Sequence, residues 1–314
     1  MLSAERLSFS DESFDFLNKL WYNIRQGDRN QERYSEMNNT ERLITAYHPI
    51  TSTPFTHSPA YSEIAPSRAL LPYIRCFWGT ADTAEEEKSR LVIPDTCMDI
   101  IFNLDYENNT ARSSFCTIDE NAYFSHNTHR SLFGIRFYAW SAVLFADNSF
   151  AGTKNKVFDT DEFFTGLKHD ILPMLLSVPS LPERAKTAEK YLLKRLDLNR
   201  MNNDLMNAVS DIIVGRGNVK TARLAAKNAV SVRQLERWFN DNMGISPKSF
   251  SSLVRYQMMW QEMCFRGGDI LDMTEKYGYY DQAHLLNDFK RHHSMTPKQA
   301  LELSHFYNTR HSIV

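Results

Sequence analysis

The sequence predicts an α+β protein: a β-rich, barrel-like N-terminal domain followed by an all-α C-terminal domain holding two helix-turn-helix units joined by a spacer helix. Three observations predict it. Between residues 67 and 160, short apolar runs rich in aromatic and β-branched side chains alternate with turn-forming pieces, the composition of strands. From Asn203 onward apolar residues recur at helical spacing. Within that helical part, two similar units about 50 residues apart close on related tetrapeptides, Gly244-Ile245-Ser246-Pro247 and Ser294-Met295-Thr296-Pro297, an internal repeat.

In chain order, residues 1–55 read as a helix-leaning extension and connector. Phe14, Leu17, Leu20, Trp21 and Ile24 fall three or four apart on one helical face, and Pro49, Pro54, Pro59 and Pro66 mark the extended stretch after it. Residues 56–165 form the β-rich domain. Its expected strands are Tyr73–Trp78, Arg90–Ile93, Met98–Phe102 and Leu132–Phe137, with a turn at Asp105–Asn109. Residues 166–202 form a linker, with a helix from Leu181 to Leu196 whose Ala185, Ala188, Leu192 and Leu196 share a face suited to dimerisation. Residues 203–305 carry the two helical units.

Composition narrows the class. The 314 residues are 42% hydrophobic and 24% charged with net charge −2, a globular balance that neither favours nor excludes nucleic acid. Residues 201–300 are mildly basic, with 13 Lys/Arg against 10 Asp/Glu. Cys76, Cys97, Cys116 and Cys264 form no C-x-x-C pair. The N-terminus lacks a signal-peptide pattern, and no run approaches the roughly 18 apolar residues of a membrane span. A cytoplasmic protein without membrane contact is therefore expected. Nucleophile-elbow, zincin, P-loop and Rossmann patterns are missing from the sequence, so no catalytic residue and no cofactor are assigned and an enzyme is not expected. His126 and His129, near Asp119 and Glu120, invite a metal reading, but spacing fixes no third ligand, and no metal is assigned.

The first helical unit runs from Val219 to Phe239. Val219, Ala222, Leu224 and Ala225 are its expected buried face. Asn228-Ala229-Val230 makes the turn, Ser231 caps the next helix, and Leu235, Trp238 and Phe239 bury that helix. Small Ala225 allows the close crossing a helix-turn-helix needs. The outer face then presents Ser231, Arg233, Gln234 and Arg237; Arg pairs bidentately with guanine and Gln with adenine in the major groove. The second unit, Ile270–Lys290, repeats the plan. Ile270, Met273 and Tyr277 face inward, Gly278 turns the chain, Asp281 caps, and Leu285, Leu286 and Phe289 bury the helix. Asp281, Gln282, His284 and Asn287 remain as candidate base contacts. Lys220, Arg223, Lys248, Arg255, Lys290 and Arg291 are candidate phosphate contacts. A solvated charged face is the plain alternative for each. Lys248–Phe265 would be the spacer helix, apolar enough to be buried between units set about 34 Å apart along a duplex.

Gly278-Tyr279-Tyr280-Asp281-Gln282-Ala283-His284-Leu285, then Asp288-Phe289-Lys290 and Thr296-Pro297, resembles the signature of the AraC/XylS family of bacterial transcription regulators. Ser231, Arg233, Leu235, Arg237 and Phe239 with Gly244-Ile245-Ser246-Pro247 fit that family's first unit. Asn287 stands where many members carry arginine, Ser294 where glycine is usual, and Ala229 at a turn position that often takes glycine. The resemblance implies a sequence-specific regulator of transcription with double-stranded DNA as partner, and RNA polymerase too if it activates. It also implies a β-rich domain that senses a small-molecule effector or supports a homodimer. For such an effector the candidate lining is Phe77, Trp78, Asp95, Asp99, Phe102, Arg136, Phe137 and Trp140; an aromatic core without ligand is the plain alternative. A second reading is a DNA-repair or metal- or thiol-reactive enzyme-regulator with the same DNA-binding unit, using Cys97 or Cys116 as acceptor.

Overall fold

A computed structural model describes residues 47, 49, 61–80, 90–117, 122–124 and 131–302. The expected helix around Phe14–Ile24, most of the proline-marked connector, and the His126/His129 pair with Asp119 and Glu120 lie outside these residues.

The N-terminal part is built on a six-stranded antiparallel sheet in the order β1-β2-β7-β4-β5-β8. Its strands are β1 (Tyr61–Ile64), β2 (Ile74–Thr80), β4 (Cys97–Asp105), β5 (Thr110–Thr117), β7 (Ser131–Tyr138) and β8 (Lys156–Asp159). β3 (Arg90–Val92) and β6 (Ala122–Phe124) pair as a separate two-stranded ribbon. The four expected strands match β2, β3, β4 and β7 closely. β4 and β5 form a hairpin, and Asp105 accepts the Asn108 N–H at its turn. β1, β5, β6 and β8 have no counterpart among the expected strands.

Side chains alternate across a strand, so the sheet has two different faces. Phe77, Ile100, Phe102, Phe115, Phe133, Ile135 and Phe137 point to one side and are all wholly buried. Phe133 stacks between Phe77 and Phe102, with ring centroids 6.1 and 5.8 Å away, within the usual range for aromatic pairs. Helices α1 (Leu167–Leu176) and α2 (Leu181–Arg195) pack on the same strands. Ser180 caps α2, and Ala185, Ala188 and Leu192 are buried in the same cluster, as their spacing predicts. Cys76, Trp78 and Leu132 belong to a separate small cluster with Tyr61 and Ile101.

The C-terminal part consists of α3 (Asn203–Val214), α4 (Thr221–Lys227), α5 (Val232–Met243), α6 (Pro247–Arg266), α7 (Ile270–Lys276) and α8 (Gln282–His293). A further helical stretch begins at Pro297. Two apolar cores divide it. Phe250, Leu253 and Val254 of α6 join α3, α4 and α5 in the cluster that continues into the β-sheet domain. Tyr256, Met259, Trp260 and Met263, further along α6, join α7 and α8 in a second cluster. The spacer helix thus contributes one half to each core. Among the described residues no helix is long and apolar enough to cross a membrane, and no group of three His, Cys, Asp or Glu is placed to hold a metal ion.

Candidate nucleic-acid interface

In the first unit α4 ends on Asn228, and the chain reverses through Ala229, whose φ is +53°. The Val230 N–H then bonds back to the Ala225 carbonyl at 3.0 Å. Ser231 caps α5, its hydroxyl accepting the Gln234 N–H at 3.1 Å. Leu224, Ala225, Leu235 and Phe239 are buried and Trp238 is half-buried. Ala222, expected inside, is exposed: it sits two residues before Leu224 and so on the far side of a short helix. Arg233 and Arg237 are exposed and Gln234 is half-buried. Arg237 Nη2 donates to Gln234 Oε1 at 2.8 Å, so these two polar ends stand side by side on the first turns of α5.

The second unit reproduces this geometry. α7 gives way to Gly278 at φ +66°, and Asp281 caps α8 by accepting the His284 N–H at 2.7 Å. Leu285 and Phe289 are wholly buried; Gln282, His284, Asn287 and Lys290 are exposed. The His284 imidazole meets the Tyr279 ring edge-on, with centroids 5.3 Å apart. Tyr280, just before the cap, is 92% exposed. Sequence reasoning passed over it, although a large aromatic next to a helix N-cap outside any apolar period was a readable signal.

Both units end alike. Gly244 (φ +69°) and Ser294 (φ +60°) are left-handed C-caps of α5 and α8. Ser246 then accepts the Ser249 N–H and Thr296 the Gln299 N–H, with Pro247 and Pro297 in the first turn of the helix that follows. At Gly244 a Cβ would lie 2.9 Å from the Phe150 carbonyl oxygen and closer still to Thr153 Oγ1, so this position needs glycine for space as well as for φ.

Among the expected phosphate contacts, Lys220, Arg223, Lys248, Lys290 and Arg291 are exposed. Arg255 is different. Its guanidinium lies 4.3 Å over the Tyr279 ring and pairs with Asp288, and its side chain is largely covered. It is a cross-link between α6 and the second unit rather than a free cation. The hub is Asp288, which accepts from Tyr279 Oη at 3.0 Å, Ser252 Oγ at 3.2 Å and Arg255 Nη2 at 3.4 Å, with Arg291 Nη2 at 3.3 Å. Ser231 and Asp281, expected to touch bases, have side-chain oxygens engaged as caps.

The expected effector lining divides. Phe77, Phe102 and Phe137 face the apolar core, and Trp140 stacks on Tyr138 and meets Phe250 of α6 edge-on. One pocket cannot include these together with Trp78, because Phe77 and Trp78 are strand neighbours and point to opposite faces. Trp78, Asp99 and Arg136 do assemble on the second face. The Trp78 indole lies across Gly134, where a Cβ would fall 2.0 Å from the ring. Its Nε1 donates to Asp99 Oδ1 at 2.8 Å, and Arg136 Nε reaches both Asp99 oxygens at 3.0 and 3.2 Å. Arg136 Nη1 is 3.5 Å from Asp95 and has no hydrogen-bond partner among the described residues. Tyr61 stacks on Trp78 at 5.9 Å. Burial pushes the Asp95 carboxyl up against the pull of Arg136. Burial also pushes up the thiols of Cys97 and Cys116, the latter to about 12, which runs against thiolate chemistry at either.

A family model described as a helix-turn-helix domain matches residues 224–302, and one described as a domain of unknown function matches residues 62–159. A search of curated proteins found no significant match. Among solved structures, an AraC-type transcriptional regulator from Chromobacterium violaceum is 23% identical over 32% of this chain and 92% of its own, with a TM-score of 0.31. The C-terminal domain of AraT, a response regulator from Geobacillus stearothermophilus, is 20% identical over 33% of this chain and 87% of its own (TM-score 0.31). ToxT from Vibrio cholerae is 9% identical over 69% of this chain and 94% of its own (TM-score 0.38). The family-model match thus lies on the two capped helical units, and residues 224–302 form a helix-turn-helix domain.

Proposed function

We propose that α5 and α8 are the two recognition helices, and that the β-sheet domain adjusts their engagement with DNA in response to a small molecule. The observation that carries the DNA part is the repetition of one geometry: a side-chain-capped helix with exposed polar residues on its first turns, Arg233 and Arg237 on α5, Gln282 and His284 on α8. Helix N-termini entering the major groove place such side chains at base edges. Asn287 is one turn further along α8. Lys220, Arg223, Lys248, Lys290 and Arg291 supply phosphate contacts, which orient the protein without reading sequence.

A salt titration tests this. With five phosphate contacts, the logarithm of the binding constant should fall with the logarithm of salt at a slope of about −4.5. Lys290→Ala should make that slope shallower by about 1 and weaken all sequences alike. A slope near zero would contradict the assignment.

The effector reading draws support from the Trp78–Asp99–Arg136–Asp95 cluster, which sits on the sheet face away from the core and keeps one guanidinium nitrogen without a hydrogen bond among the described residues. Buried charge is costly unless well paired, and its retention here fits a binding role. A thermal-shift screen of small metabolites against the parent and Trp78→Ala tests it; a stabilising compound that works equally on both places the effector elsewhere. A homodimer and contact with RNA polymerase belong to the same reading.

A further inference from the structure

Four consecutive residues after β3 each grip a different part of the molecule. Ile93 is buried in the apolar core of the second DNA-binding unit, in the cluster of Tyr256, Trp260, Met273 and Tyr279. The Pro94 carbonyl accepts a 2.7 Å hydrogen bond from Nε2 of Gln257, a wholly buried residue of the spacer helix α6. Asp95 accepts the Cys97 N–H at 3.1 Å and faces Arg136 on the sheet. The Thr96 carbonyl accepts the Ala139 N–H at 3.0 Å, and its own φ is +60°. A non-glycine residue held there is locally strained, and the surrounding contacts must over-determine it.

The first unit is held by another part of the same domain. The Phe150 N–H and the Ser149 hydroxyl both donate to the Asp241 carbonyl near the end of α5. Thr153 packs against Gly244, and Trp140 meets Phe250. The β-sheet domain therefore touches each DNA-binding unit separately, the first through residues 140 and 149–153 and the second through residues 93 and 94.

We propose that the 93–97 loop is a brace that fixes the second helix-turn-helix unit to the β-sheet domain, with Gln257 as its positioning residue and the Arg136–Asp95 pair as its anchor on the sheet. The proposal rests on both units binding DNA. It makes the distance between two recognition helices depend on a contact that touches neither helix. A change at Arg136 reaches the second unit through the two peptide units between Asp95 and Ile93, while the first unit's own contacts are left alone.

The test uses the full chain, a bipartite DNA selected from a random pool by the parent, and the same DNA with the segment read by the second unit scrambled. Gln257→Met keeps the buried volume and removes the donor; Asp95→Asn keeps the shape and removes the charge. Each should weaken binding to bipartite DNA at least fivefold, in the usual range for coupling between sites. Each should leave binding to the scrambled DNA within about twofold, the spread expected of uncoupled substitutions. The double variant should be no weaker than the weaker of the two singles, since both cut one path. Equal losses on both DNAs, or losses that multiply in the double variant, overturn the brace. A parent that binds no DNA overturns the underlying reading, and the brace with it. Amide hydrogen exchange decides the matter apart from DNA affinity: Gln257→Met should speed exchange in α7 and α8 and leave α4 and α5 unchanged, and uniform acceleration would sink the proposal.

Discussion

Two side chains, one half-buried and one wholly buried, carry much of the second unit. Asp288 is only 10% exposed and collects four donors from α6, α8 and Tyr279. Replacing it with Ala leaves the mostly covered Arg255 uncompensated, and breaking a buried pair in this way costs about 3–5 kcal/mol. Urea unfolding of Asp288→Ala should show that loss, whereas a change under 1 kcal/mol would mean that solvent already screens the hub. His293 is wholly buried, parallel to the Phe289 ring at 4.7 Å and with Nδ1 2.6 Å from the Tyr256 hydroxyl. Burial first, and then neighbouring His292, hold its pKa down to about 3. The folded pKa is depressed, so the stability this group contributes is complete above its unfolded value near 6.5 and is lost as pH falls through that value toward 3. Between pH 7 and pH 5 the parent should lose about 2 kcal/mol through this one group. His293→Gln should remove that part of the slope, and an unchanged slope would place the titration elsewhere.

The turns and caps of the repeated units were readable from sequence, because capping and left-handed turns are local. Ser231 and Asp281 take the expected capping roles, and Gly278 and the two closing tetrapeptides the expected turns. Ala229 and Ser294, noted for standing where glycine is common, both adopt positive φ. A non-glycine residue pays about 1–2 kcal/mol in that region, partly offset by the greater freedom of glycine in the unfolded chain. Ala229→Gly and Ser294→Gly should each raise the denaturation midpoint by the equivalent of about 0.5–1 kcal/mol without changing the m-value; a fall in either would show that the side chain makes a contact worth more than the strain. Long-range pairings were not readable. Arg255 resembled any other exposed helical cation until Tyr279 and Asp288, which are 24 and 33 residues away, closed over it. β5 hid behind its polar content, Thr110-Ala111-Arg112-Ser113-Ser114-Phe115-Cys116-Thr117, since only Phe115 reaches deep into the core. The expected effector lining spans two faces because aromatic content alone carries no record of the strand period of two.

At the scale of the whole molecule, one apolar core runs from the sheet through α2, α3, α4 and α5 into the first half of α6, and a second holds the remaining unit. The boundaries proposed at residues 165 and 202 follow changes in sequence character, and the core runs on across both of them. The first helix-turn-helix unit is thereby part of a larger packed body, and the second is joined to it by α6 and the 93–97 loop. Such a body should meet DNA at two places. The most direct test is hydroxyl-radical footprinting on DNA selected by the parent, repeated with Arg233→Ala and with Gln282→Ala. The account predicts two protected segments about one helical turn, 34 Å, apart. Arg233→Ala should relax base preference by about 1–3 kcal/mol in one segment and Gln282→Ala in the other. A single protected segment, or a base preference that survives both substitutions, would contradict it.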